Sequence, residues 1–475
     1  EEEKQVCVKA KVQVEATMPG KSSEVLERAT VSVLLRCRRR DQSALFSFRD
    51  VDGSVAVAAV LHPRKSTFTT DSLPVVVSLS GVGVTPQGQA DAYKMKNRKD
   101  QEDYVFGFDD LWILAPQRDG PHNWEDVGIR SILRSIEILA QQVRLETAHG
   151  SVGADAKRLV IHGHSRGGHG AWALASRIPD RILGVASACG WYSREEYGDA
   201  NNLWVHETSL MHMDKMLLGV LHASIAMNEN SLHASNLKGI PALVRVASKD
   251  KSVPPWFGRR MARHLQEEGV NVTFQEFDQE HWWWDTKKAN DGGVMHDASM
   301  REWTMWAAKR TPFGPFSSLK EVLSEGGGRG LVSSAASAQY LGRFGLRVVQ
   351  RRSAAARGVL KVTYDKSSNS SLHVTTSNVE RFSWSLSRGH AAGFEQRIQR
   401  LLVDENQEFE VSMDGDALHF CRDEETSSDR CASTVVPQRG QGRRPWRRCG
   451  GGMSFALQGP IREVFGAPWA VVIPD

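Results

Sequence analysis

Three residues far apart in the chain, Ser165, Asp250 and His281, have the types needed to build one reactive centre. Ser165 lies in Gly163-His-Ser-Arg-Gly167, a G-x-S-x-G pattern that follows the apolar run Leu159-Val-Ile161. That run reads as a strand buried on both faces, and the helical pattern after Ser165 makes the serine the apex of a sharp strand-to-helix turn. Such a turn lifts the hydroxyl above the sheet edge. It also aims the first amides of the next helix at the point where an oxyanion would form. A serine hydroxyl is a poor nucleophile near neutral pH. It needs a base within hydrogen-bond reach, and the base needs a partner that holds its tautomer and stabilises its cation.

His281 and Asp250 stand where that base and partner are expected. Asp250 follows the strand Pro241–Ala247, and His281 follows the strand Val272–Phe277. Each of the three residues therefore sits just beyond the C-terminal end of its own strand, where open α/β sheets place their sites. Asp278 and Asp285 are so close to His281 in the chain that they are expected to shape its loop. His296 follows a Gly-Gly turn rather than a strand, and His164 abuts Ser165, so neither is expected to be the base.

Alternating strands and helices must carry these residues. Strands are expected at Leu73–Gly81, Asp110–Pro116, Arg158–Gly163, Ile182–Ala188, Pro241–Ala247 and Val272–Phe277. Helices are expected near 125–143, after Ser165, at 255–268 and at 298–309. In the first of these, Ile129, Ile132, Leu133, Ile136, Leu139 and Ala140 fall on one face. Strand-helix alternation over this length marks a mostly parallel, doubly wound α/β sheet. Residues 71–311 are expected to form that unit, with 193–237 as a largely helical, cap-like insertion. Residues 1–70 read as a β-rich N-terminal segment, with strands near 6–14, 29–35 and 55–61. They would form either a separate leader or the first antiparallel strands of the main sheet. Residues 312–330, rich in Gly, Pro and Ser, read as a linker, and 331–475 as a small β-rich C-terminal domain.

Taken together, Gly163–Trp172, Lys249-Asp-Lys-Ser-Val-Pro254 and Glu280-His-Trp282 resemble the catalytic region of prolyl-oligopeptidase-type serine peptidases. They are also similar to the related polyhydroxyalkanoate-depolymerase and feruloyl-esterase enzymes. The resemblance spans about 70–310. It implies the α/β-hydrolase fold, with Ser165 as nucleophile, Asp250 as acid and His281 as base. It also implies an oxyanion hole made by the backbone N–H of Arg166 and one from the loop after the first parallel strand, at Gly81 or Val82. Arg166 stands where these enzymes often carry methionine or tyrosine, so a cation borders the site. Prolyl oligopeptidases also place a large propeller ahead of the hydrolase domain. Only residues 1–70 precede it here, which favours an open, esterase-like site. Trp124, Trp191 and Trp282 are candidates to line an acyl or leaving-group pocket.

Composition narrows the remaining classes. The hydrophobic fraction of 40% and charged fraction of 24% are ordinary for a globular chain of 475 residues. A net charge of +4 gives no reason to expect nucleic acid. No apolar run is long enough to span a membrane. Cys7, Cys37, Cys189, Cys421, Cys431 and Cys449 form no C-x-x-C pair, and His206, His212, His222 and His233 lack tight ligand spacing. No metal and no cofactor are therefore expected. Cys421, Cys431 and Cys449 would pair only in an oxidising compartment. The chain opens at Glu1 with no methionine and no charged-then-apolar leader, so either a targeting segment was removed or this is a fragment, and both a cytoplasmic location and secretion after loss of a leader stay open. The basic stretch Arg439–Arg448 reads as an exposed loop.

The expected activity is hydrolysis of a small ester or a short peptide through an acyl-enzyme. The alternatives are a non-catalytic binding protein of the same fold and a glycan-linked carboxylesterase.

Overall fold

The computed structural model describes residues 41–65, 70–96, 104–120, 122–147, 150–194, 196–197, 214–285, 291–310, 331–336, 339–353, 356–364 and 371–384, with further strands at 9–17, 25–34, 400–403, 407–410, 418–422 and 446–448. The chain starts with a hairpin, β1 (Lys9–Thr17) and β2 (Val25–Leu34), paired antiparallel and apart from the main sheet. Next come β3 (Ala44–Arg49), β4 (Val55–Leu61), β5 (Ser72–Leu79), β6 (Lys94–Lys96), β7 (Tyr104–Phe106) and β8 (Trp112–Pro116). They are followed by β9 (Arg144–Thr147), β10 (Gly150–His164), β11 (Ile182–Ala188), β12 (Ala242–Ala247) and β13 (Val272–Phe277).

The main sheet runs β13-β12-β11-β10-β5-β8-β4-β3, with β9 paired to the start of β10. From β13 to β8 every neighbour is parallel, while β4 and β3 add antiparallel strands at one edge. This is a doubly wound α/β-hydrolase sheet. Both options weighed for the first 70 residues are realised. The hairpin stands separately, whereas β3 and β4 belong to the main sheet, which therefore begins at Ala44 rather than after residue 70.

Alternation along the central strands explains why they are apolar throughout. In β5, Val75, Val77 and Leu79 enter the core on one face, and Val76 enters the core on the other. In β10, Leu159 and Ile161 go one way and Val160 the other. Helices cover both faces. Val127–Gln142, Arg166–Arg177 and Trp256–Glu267 pack on the first through Ile129, Trp172 and Met261. Ala298–Ala308 packs on the second through Met300, Trp303 and Ala307. Among the described residues, no helix is long and apolar enough to cross a membrane.

The chain runs from β5 outward to β8, then returns to β10 on the other side of β5. The order reverses between β5 and β10, and a crevice opens there at the strands' C-terminal ends. β5 leads into Ser80-Gly81, and β10 leads into Ser165.

Within 193–237, a helix covers Lys215–Ala226 and a 3₁₀ helix Asn230–Leu237. His206 and His212 lie outside the described residues, as does the side chain of His222. The 3₁₀ helix is buried rather than cap-like. Residues 331–335, 358–364, 371–377, 400–403 and 407–410 form one C-terminal sheet, and 346–351, 379–384, 418–422 and 446–448 another. The start of this region, Ser334 to Arg343, bonds into the main unit. Ser334 Oγ bonds His233 Nδ1 at 2.9 Å, the Asn236 amide donates to the Ser334 carbonyl at 2.9 Å, and the Tyr340 hydroxyl donates to the Met227 carbonyl at 2.8 Å. The buried Arg343 guanidinium reaches Asp180. The expected linker at 312–330 lies outside the described residues, as do Cys7, Cys37, Cys431, Cys449, the Cys421 side chain and residues 439–445. The end of the expected basic loop, 446–448, is a strand.

Candidate active site

Ser165 occupies a turn that only its neighbours' lack of side chains allows. Its backbone is left-handed, with φ 57°, a conformation that costs a non-glycine residue on the order of 1–3 kcal/mol. A Cβ on Gly163 would collide with the Gly167 carbonyl, and one on Gly167 with the Leu79 carbonyl. Those two contacts are why the pattern is G-x-S-x-G at this place. The Ser165 amide donates to Ala188 O at 2.9 Å, tying the elbow to the end of β11. Its carbonyl starts the next helix by accepting from Gly168 N at 2.8 Å. A Cβ built on Gly81 would sit 3.3 Å from Ser165 Cβ, so the loop after β5 passes directly beside the serine.

Asp250 and His281 meet as a pair. His281 Nδ1 lies 2.7 Å from Asp250 Oδ2. A carboxylate only accepts, so Nδ1 carries the hydrogen and Nε2 keeps its lone pair. Asp250 Oδ1 accepts from the backbone N–H of Ser252 at 2.8 Å and of Val253 at 2.9 Å. Burial alone would raise the Asp250 carboxyl. The bond to His281 and the two amides outweigh it, and the group titrates below its usual range. The Asp250 side chain is 1% exposed and His281 25%.

A second histidine joins them. His164 Nε2 lies 2.7 Å from the backbone carbonyl of His281, and the two rings are 4.7 Å apart. A carbonyl can only accept, so His164 donates from Nε2. Burial and the neighbouring His281 pull His164 down to about 4, so it is neutral near neutral pH. Trp282 stands edge-on to His164 at 4.8 Å. Cys189, at the end of β11 with φ 49°, lies beside Asp250, and burial pushes its thiol up.

His164, Cys189 and His281 bring one ligand atom each to within 4.8 Å of one another. They are the group among the described residues with metal-ligand spacing. His164 Nε2 and His281 Nδ1 already have protein partners.

Ser165, His164 and His281 border a cavity of about 480 Å³. Gly81, Val82, Asn123, His164, Ser165, Arg166, Trp191, Tyr197, Ser252, His281 and Trp282 line it. The crevice thus gathers Ser165, His281, Arg166, Gly81, Val82, Trp191 and Trp282 of the residues singled out from sequence. Trp191 stacks on the buried His169 at 5.0 Å and meets Tyr197 at 4.6 Å. His169 is held by Glu125 at 2.9 Å and Asn230 at 3.2 Å.

Trp124 is a correction. It is fully buried, packs against Gly170 and donates its indole N–H to the Ser80 carbonyl at 2.8 Å. It is a core residue that braces the loop after β5, and it does not line the cavity. The competing residues also separate. Asp278 is exposed and pairs with Lys249. His296 is fully buried against Tyr93 and Phe108 on the other side of the sheet. Asn123, Tyr197 and Ser252 were missed. Asn123 and Ser252 border motifs already read, whereas no pattern singles out Tyr197.

Comparison with known proteins agrees on the core. Residues 141–304 match the model of the prolyl oligopeptidase family. That span contains Ser165, Asp250 and His281, and the resemblance read from their motifs is borne out. A curated relative from Arthroderma benhamiae, described as an uncharacterized secreted protein, is 26% identical over 280 residues. The match covers 57% of this chain, and the chain spans only 28% of that relative's length. Similar solved structures include a thermostable esterase (18% identity, TM-score 0.36, 60% of this chain and 67% of that one). An acylaminoacyl peptidase from Pyrococcus horikoshii has 16% identity and TM-score 0.37 over 58% of this chain and 42% of that one. An S-formylglutathione hydrolase from Agrobacterium tumefaciens has 17% identity and TM-score 0.36 over 57% and 95%.

Proposed function

We propose that the chain is a serine hydrolase that cleaves an ester or amide through an acyl-enzyme. Ser165 Oγ attacks the carbonyl carbon and gives its proton to His281 Nε2. The tetrahedral oxyanion is held by the backbone N–H of Arg166 and by one from the Gly81–Val82 loop. His281 returns the proton to the leaving oxygen or nitrogen as that bond breaks. Water then repeats the sequence, releasing the acid and restoring Ser165. Asp250 keeps His281 in the reactive tautomer and stabilises its cation.

The observation that carries this reading is the 2.7 Å bond between Asp250 and His281, with His281 and a strained serine elbow lining one cavity. The same bond leaves Nε2 as the basic nitrogen. The substrate is a small ester or a short peptide, because the cavity is of a size for a small group. Among the described residues of 1–70, β3 and β4 extend the main sheet, and β1 and β2 form a hairpin. Secretion is the proposed destination, on the strength of the secreted relative.

A fluorophosphonate probe tests the nucleophile. The wild type should label and Ser165→Ala should not. Loss of Ser165 should also lower kcat on an activated ester by roughly 10⁴-fold or more. Labelling that survives in Ser165→Ala, or more than about a tenth of the activity retained, would sink the assignment.

A further inference from the structure

Arg166 brings a positive charge into the cavity, and its surroundings leave that charge unanswered. Among the described residues, no aspartate or glutamate lines the cavity, and Arg166 is the one lysine or arginine in its wall. The described acids near it are committed elsewhere. The Asp250 side chain is buried and held by His281, Ser252 N and Val253 N. Glu125 is buried against His169 and Arg194, and Glu196 pairs with Arg260 at 2.9 Å. Arg166 is half-buried and meets no carboxylate within ion-pair distance among the described residues. A partly desolvated guanidinium without a counter-charge is unfavourable, and its planar fork fits a carboxylate. Trp191, Tyr197 and Trp282 line the same cavity with aromatic rings.

We propose that this site selects substrates whose acyl or leaving group carries a carboxylate, which the Arg166 guanidinium holds while the aromatic walls cover the rest. The inference rests on the reading of Ser165 as the nucleophile. It also excludes a class. A free α-ammonium finds no carboxylate among the described wall residues and meets a like charge, so aminopeptidase-type substrates are disfavoured.

Two ester pairs test it on the full chain: 4-nitrophenyl hexanoate against mono-4-nitrophenyl adipate, and phenyl acetate against 4-acetoxybenzoate. Each rate is corrected for the uncatalysed reaction. In at least one pair, kcat/KM should favour the anion by roughly ten- to a hundredfold, the range for one hydrogen bond to a charged group. Salt should shrink the preference. Arg166→Lys should keep much of it, Arg166→Gln should abolish it and Arg166→Glu should reverse it, each read as the anion-to-neutral ratio within one variant. Fluorophosphonate labelling confirms that each variant retains a formed site. Neutral esters turned over with no anion preference in either pair, or a preference unchanged in Arg166→Gln, would overturn the proposal and leave the hydrolase reading intact. No turnover and no labelling in the wild type would instead sink the hydrolase reading, and this proposal with it.

Discussion

His164, the residue just before the serine, donates from Nε2 to the backbone carbonyl of His281 at 2.7 Å. The elbow and the loop bearing the proposed base are therefore joined directly, across 117 residues of sequence. This bond holds the backbone of His281, while Asp250 holds its ring. His164→Phe keeps a ring of similar width and loses the bond. It should lower kcat about tenfold or more, the scale of a polar group left unpaired, with a smaller change in KM. His164 stays neutral down to about pH 4, so it is not the group whose deprotonation switches activity on. The acid limb of the pH–rate profile should keep its midpoint in this variant. A limb that vanishes with His164 would mean that the wrong histidine has been named as base.

Asp250→Asn should fold normally and lose roughly 10³- to 10⁴-fold in kcat, because an amide neither fixes the reactive tautomer nor stabilises the imidazolium. Asp278→Asn removes an exposed pair with Lys249 and alters the acceptor for the Ser248 hydroxyl, contacts that water largely screens. Its kcat should stay within a few-fold of wild type. Circular dichroism on both variants separates a chemical effect from unfolding. A crippled Asp278→Asn beside a near-normal Asp250→Asn would reassign the acid.

Gly167→Ala tests the elbow itself. The added methyl meets the Leu79 carbonyl, which is backbone in the central strand and cannot rotate away. Stability should fall by about 1–3 kcal/mol or more. The displaced serine should cost at least about 10²-fold in kcat, as a misplacement near 1 Å does. A variant with wild-type melting temperature and rate would contradict the packing described for this turn.

Acid should weaken the fold through its buried histidines. Burial lowers His162 and His233 to about 3 and His164 to about 4, and holds His296 well below its ordinary value. An unfolded histidine titrates near 6.5. Below that pH the unfolded chain binds protons that the native chain refuses, so stability falls with pH until each folded value is reached. Each histidine contributes up to about 1.4 kcal/mol per pH unit in that window. Asp250 acts later. Its lowered carboxyl stabilises the fold above the unfolded value and loses that contribution only as pH drops through the folded one. Melting temperature measured from pH 7 to pH 4 should therefore fall steeply below about 6. A flat curve over that range would mean that these rings are protonated in the native state.

Most central strands, with both faces buried, were legible in the sequence, and so was the edge strand β13, whose apolar and polar residues alternate. β11 and β13 were read at their observed limits, and β5, β8 and β12 within two residues. β10 was read from Arg158, but it begins at Gly150. Asp155, Lys157 and Arg158 break its apolar pattern, and its register to β5 shifts between Ala154 and Leu159. β3 was missed because its outward residues are exposed at the sheet edge, and the short helix Pro86–Asp91 because six residues hold too little periodicity. At the site, a motif identifies a backbone path and so points to Ser165. Residue type alone does not tell a core indole from a lining one. Trp124 and Trp191 look alike in sequence, and the difference lies in a carbonyl that accepts from one and a cavity that meets the other.

The bonds from Ser334, Tyr340 and Arg343 into the hydrolase core bear on how the whole chain melts. They land on the 3₁₀ helix Asn230–Leu237, on Met227 and on the turn after the elbow helix. A separately tethered module would give its own calorimetric transition. Here the C-terminal strands and the catalytic-type sheet share buried polar partners, so heat should disrupt them together in one endotherm. A chain cut ahead of residue 331 would expose His233 and Asn236 without those partners. The stretch from Ser334 to Arg343 is in this sense part of the foundation under the elbow.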